Sequence, residues 1–153
     1  MESIVSFKSL WATTLLAAAL GLSACSPAVD PDVKARQDSM KSWSDATGIM
    51  EDMIDNPNTF DVELFQDQAA FLAEDAASPW SHFKSQEAMG NTTEAVWVNA
   101  GTFEAEADQF EQAAHELNAA AQTATVVEDV EPAFNDVKAS CKSCHTDFKV
   151  RRD

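Results

Sequence analysis

From residue 96 onward, apolar side chains return every three or four positions: Val96, Ala100, Phe103, Ala107, Phe110, Ala114, Leu117 and Ala121. That interval is the a/d seam of a helix packed in a bundle. The same beat runs through Val127, Val130, Phe134, Val137, Cys141, Cys144 and Phe148. Nearer the start, Val33, Met40, Trp43, Thr47, Met50 and Ile54 form a third stripe, with Arg36 and Gln37 filling the turn between Val33 and Met40. Phe65, Ala69, Leu72 and Ala76 mark a fourth. No stretch alternates β-branched with polar residues, so helix is the default.

Breakers divide the stripes. Asp30 and Pro31 read as cap and first residue of helix A, and Asn56-Pro57-Asn58 ends it. Helix B runs from about Phe60 to Ala76, and Pro79 marks its end. A loop from Ser78 to Thr92 holds Trp80, Phe83 and Gly90. Helix C begins near Thr93, with Thr92 or Thr93 as its cap. Helix D carries a conflict. Thr125-Val126-Val127-Glu128 resembles a capping box, yet a start there leaves Pro132 too deep in the helix. Either the helix begins near Val130 or it kinks at Pro132. Four helices with short connections predict an all-α fold, an antiparallel up-down-up-down four-helix bundle.

The first residues do not belong to that pattern. Leu10 to Leu22 is an apolar run too short to span a bilayer comfortably. It ends in Leu22-Ser23-Ala24-Cys25, small residues before a cysteine, which reads as a bacterial lipoprotein box. The expected organisation is a signal peptide over 1–24, a lipidated Cys25 with a tether over 25–31, and the bundle over 32–153. The protein is then exported and lipid-anchored on the periplasmic side of a bacterial membrane, or soluble in the periplasm if Cys25 is not lipidated.

The formal net charge is −16. Nucleic acid is excluded as a partner on those grounds, and a protein partner is expected to offer a basic face. Three cysteines are present. With Cys25 set aside, Cys141 and Cys144 remain, in Cys141-Lys142-Ser143-Cys144-His145. C-x-x-C-H is the attachment signature of c-type haem. Two thiols three residues apart lie on one side of a helical turn, where each can add to a vinyl group, and the following His145 brings its imidazole to the iron. The rival is a thiol redox pair, which needs a helix N-terminus beside a sheet. Here the pair lies inside a helix with no sheet predicted.

These residues, taken together, resemble the class II c-type cytochromes, the cytochrome c′ family. Arg36-Gln37-Asp38-Ser39-Met40 is similar to its R-Q-x-x-(M/L) element, Pro79-Trp80-Ser81-His82-Phe83 to its P-W-x-x-F, Trp97 to a recurrent tryptophan, and the motif lies near the C-terminus as the family has it. The resemblance covers about Asp32 to Arg151. It implies one covalent haem c on Cys141 and Cys144, His145 as proximal iron ligand, and Arg36 beside a haem propionate. Met40 falls at the distal position. A methionine there is the sixth ligand in low-spin relatives, whereas five-coordinate members hold leucine or a methionine that does not bind. Met50 and Met53 match no ligand position, His82 and His115 are not expected to ligate, and Trp43, Trp80, Trp97 and Phe103 are expected to pack the core and the haem. Lys149 stands where relatives often carry arginine, with Arg151 and Arg152 just beyond. Lysine cannot reproduce a bidentate guanidinium.

The expected function is a membrane-tethered monohaem electron carrier, not an enzyme, serving redox partner proteins. The alternative is a five-coordinate haem that binds NO or CO. The resemblance also allows a homodimer through helices A and B.

Overall fold

The computed structural model describes residues 29–151. The lipoprotein box, Cys25 and Arg152 lie outside them. The chain forms α1 (Pro31–Asp55), α2 (Val62–Asp75), α3 (Ala95–Val98), α4 (Ala100–Ala121) and α5 (Glu131–Phe148). The four long helices make the bundle, with α3 prefacing its third arm. Among the described residues no helix is long and apolar enough to cross a membrane.

Capping explains the boundaries. Asp30 Oδ1 accepts from the Asp32 N–H at 2.9 Å, and Pro31 takes the first helical position, where its missing N–H costs nothing. Asn56 closes α1 by returning its side-chain amide to the Asp52 carbonyl at 3.0 Å. Helix α2 starts at Val62 rather than at about Phe60 because the cap is Asp61, whose Oδ1 accepts from the Leu64 N–H at 3.1 Å. Phe60 lies before it and packs on Phe65, with ring centroids 5.5 Å apart.

Two sequence expectations need correction. Neither Thr92 nor Thr93 caps the third arm. Thr92 forms an isolated antiparallel bridge with Lys149. The Thr93 N–H donates to the Phe148 carbonyl at 3.0 Å, and its hydroxyl to the Asp147 carbonyl at 2.9 Å. The Thr93 groups are spent on the end of α5 and the Thr92 hydroxyl on the Met89 carbonyl, so the cap of α3 falls to Glu94. The third arm is also broken at Asn99 (φ −114°, ψ 43°). The break turns Ala100 out to solvent, although the seven-residue beat places it on the seam.

The conflict over the last helix resolves in favour of a late start. Residues Val127–Asp129 form a 3-10 turn, and Pro132 sits in the first turn of α5, where it is tolerated. The box-like residues work differently from the expected pattern. Asp129 Oδ2 accepts from the N–H groups of Thr125 and Val126, at 2.8 and 3.2 Å.

The main core joins all four long helices through Met50, Phe65, Leu72, Leu117, Phe134 and Val137. Alanines 69, 113, 114 and 121 let those large side chains interdigitate. Leu72 and Leu117 are fully buried, each worth about 1.5–3 kcal/mol. A smaller cluster of Val96, Phe103 and Phe148 gathers at the end of the bundle where α5 finishes. Trp80 packs against both clusters.

Candidate functional site

Between α1 and α5 the bundle holds an open cleft in two adjoining lobes of about 170 and 200 Å³. Met40, Trp80, Cys144 and His145 line both. The helical period explains the set. Met40, Ser44 and Thr47 share one face of α1, and Cys141, Cys144 and His145 one side of α5. The structure therefore brings together the five residues singled out from sequence: Arg36, Met40, Cys141, Cys144 and His145.

Cys141 and Cys144 are half-buried and form no disulfide with each other. Burial pushes the Cys141 thiol up, and Cys144 is pushed up to about 11 by burial and then by the neighbouring Glu106 charge. A thiol-disulfide catalyst needs the opposite shift. The sheet it would stand beside is also missing among the described residues. The thiol redox reading therefore loses its physical basis. Burial, with Lys149 nearby, lowers His145, which favours the neutral imidazole that an iron ligand must be.

Arg36 is buried on α1, only 4% exposed. One guanidinium nitrogen, Nη2, donates to the Ala88 carbonyl, and the group lies 4.5 Å from the Phe83 ring centroid. Desolvation pulls its pKa down, against the opposing pull of Asp32 and Asp30. Its Nη1 has no partner. A buried cation without a partner is costly, so this nitrogen marks a place for an anion.

Among the described residues, three buried side-chain polar atoms lack a hydrogen-bond partner: Arg36 Nη1, Trp80 Nε1 and Glu106 Oε2. All three residues line the cleft. Buried polar groups are normally satisfied, so their gathering here fits a bound group with polar substituents and an apolar body. The apolar body is matched by aromatics. Trp80 sits edge-on to Trp43, Phe103 and Phe110 at 5.8, 5.9 and 6.3 Å, and Trp43 stacks on Phe110 at 4.5 Å. Asp75 Oδ2 holds the Trp43 indole N–H at 2.7 Å. Among the described residues no cluster of three or more His, Cys, Asp or Glu could hold a bare metal ion. The donor set of one imidazole, two thiols and an unpartnered guanidinium suits a haem, which brings its own four nitrogens.

Of the remaining candidates only Lys149 reaches the cleft. His82 Nδ1 lies 2.8 Å from Asp32 Oδ1, and His115 is exposed. Met50 and Met53 are buried in the main core. Lys149 lines the second lobe, and Arg151 is exposed. Sequence reasoning missed Glu106. Its only signal is its place three residues after Phe103 and one before Ala107, at the margin of the α4 seam.

The family model described as Cytochrome C' matches residues 32–149. The cytochrome c' of Rubrivivax gelatinosus is 28% identical over 122 residues, covering 78% of this chain and 94% of that one. Among solved structures, a nitric oxide complex of a point mutant of cytochrome c prime from Alcaligenes xylosoxidans has a TM-score of 0.74 at 26% identity, covering 79% of this chain and 94% of that one. A carbon monoxide-bound variant of the same protein has a TM-score of 0.73 at 26% identity, covering 78% and 94%.

Proposed function

The chain belongs to the cytochrome c′ family and carries one covalent haem c, and from that premise we propose that it binds NO or CO at a five-coordinate haem iron. Cys141 and Cys144 hold the haem through thioether links, His145 ligates the iron, and Arg36 and Trp80 donate to the carboxylate substituents. When bound, the haem would supply an iron able to take a diatomic ligand and a one-electron couple.

The observation that carries this reading is the wall around Met40. Met40, Trp43, Trp80 and Phe110 form the apolar part of that lobe, which Ser44, Thr47 and Glu106 also line, and His145 is its one imidazole. The Met40 side chain is packed against the main core, a gap-filling role suited to a thioether. The apolar patch beside Met40 admits a neutral diatomic gas. Point variants of the Alcaligenes xylosoxidans relative have been solved with NO and with CO bound, which supports the same use here.

The chain's own residues then divide the work. His145, held neutral, presents its imidazole. The thioether links keep the haem from leaving. The aromatic walls exclude water, and Arg36 answers the charge of the haem edge. Export to the periplasm, with Cys25 lipidated and the residues from 26 up to the α1 cap at Asp30 as tether, belongs to the same proposal. The mass of the mature N-terminal peptide tests it.

The function is tested by optical and EPR spectra of the haem-loaded protein, ferric and ferrous, with and without CO, for wild type and Met40→Leu. A high-spin ferrous haem that takes up CO in both proteins is the expected result. A low-spin wild type that ignores CO, converted to a CO-binding form by Met40→Leu, would make Met40 the sixth ligand. The electron-carrier function, with a redox partner offering a basic face, would then take first place.

A further inference from the structure

Glu106 stands on α4 opposite Ser143, one of the two residues between the motif cysteines. Ser143 Oγ donates to its Oε1 at 2.8 Å. The other oxygen, Oε2, is buried, has no partner, and belongs to a residue lining the first lobe beside Cys141, Cys144 and His145. Arg36 lines only the second lobe and Glu106 only the first. The cleft is thus polarised, with a cation toward one end and a carboxylate toward the attachment end.

A carboxylate so placed acts on whatever charge the cleft holds. Away from bulk water, Coulomb attraction between unit charges is several times stronger than in solvent. Glu106 therefore favours an added positive charge in the cleft. Ferric haem carries one positive charge more than ferrous haem. The oxidation concerned moves one electron from ferrous iron to an external acceptor, with no bond made or broken and no proton transferred.

We propose that Glu106 is a tuning residue that stabilises the ferric state and sets the midpoint potential low. The ferrous form that takes up CO is thereby held as the less favoured state until a reductant supplies the electron. Ser143 fixes the carboxylate in place, and the hydrogen bond leaves its charge intact. This inference rests on the haem being attached at Cys141 and Cys144, as proposed above.

The test is a spectroelectrochemical titration of the haem-loaded chain with Glu106→Gln and Ser143→Ala, intact mass and ferric spectrum being recorded on the same samples. Glu106→Gln removes the charge and keeps the shape. It is expected to raise the midpoint, with the spin state unchanged. The expected size is roughly a tenfold change in the ferric-to-ferrous ratio at fixed potential, about 59 mV for a one-electron couple. Ser143→Ala is expected to give no positive shift. An unshifted midpoint in haem-bearing Glu106→Gln overturns the role of Glu106 alone. So does an equal positive shift from Ser143→Ala, which would trace the effect to the shape of the motif turn. A wild-type mass without haem overturns both this inference and the attachment it rests on.

Discussion

Arg36→Met gives the sharpest quantitative test of the site. The side chain is 4% exposed, its Nη2 is committed to Ala88, and its Nη1 is free to meet a haem carboxylate. Methionine keeps most of the aliphatic stem, so packing loss is small and charge loss dominates. Removing one partner of a buried ion pair costs about 3–5 kcal/mol, because the other charge is left uncompensated. One edge of the second lobe opens to solvent, so the lower end, about 3 kcal/mol, is the expected loss. That is a large part of a total stability of about 5–15 kcal/mol. At roughly 4 °C per kcal/mol for a domain of this size, melting should fall by about 12 °C. Arg36→Lys restores charge without the planar fork or the stack on Phe83, and should recover about half. Urea titrations of haem-loaded samples, followed by Soret absorbance and tryptophan fluorescence, read both with an unchanged slope. A loss below about 1 kcal/mol for Arg36→Met would refute the reasoning, since that is the range of an exposed pair.

Leu117→Ala, at a fully buried position in the main core, should cost about 2–5 kcal/mol in the same titration. Gly90→Ala should destabilise by more than 1 kcal/mol: its φ is +59°, where an added Cβ costs about 1–2 kcal/mol, and that Cβ would meet Val33 Cγ1 at 2.7 Å. Asp129→Asn tests the cap before α5. The N–H groups of Thr125 and Val126 hold this carboxyl below its ordinary value of 3.8, so its stabilisation is complete above that pH and disappears as pH falls through the lower folded value. Thermal melts should show the variant less stable than wild type at neutral pH, with the gap closing in strong acid.

How far the sequence revealed this follows from the range of each interaction. The seams of α4 and α5 and the attachment motif depend on spacing along one helix, and they were legible. So was the face shared by Arg36 and Met40. The break at Asn99 was not, because the heptad beat passes through it unbroken and only the exposed Ala100 betrays it. Thr92 and Thr93 have the chemistry of caps, yet Thr92 turns its hydroxyl back to the Met89 carbonyl, and a partner more than fifty residues away claims that of Thr93. Pro132 could be placed only once Asp129 was seen to collect the preceding N–H groups. Glu106 escaped for the same reason as the threonines. Nothing local distinguishes it from the other acidic residues of α4 until α5 brings Ser143 against it.

The tie between residues 91–93 and the end of α5 also has a mechanical meaning. Helix ends normally fray, and His145 lies only three residues before the last residue of α5. Here the Thr93 N–H is bonded to the Phe148 carbonyl, the Thr93 hydroxyl to that of Asp147, and the Val150 N–H to the Asn91 carbonyl, at 2.9–3.0 Å. A pull on the tail is therefore borne first by these crosslinks and passed into the loop, sparing the turn that carries His145. The protein has a strain relief at its last joint, and the imidazole sits on the protected side of it.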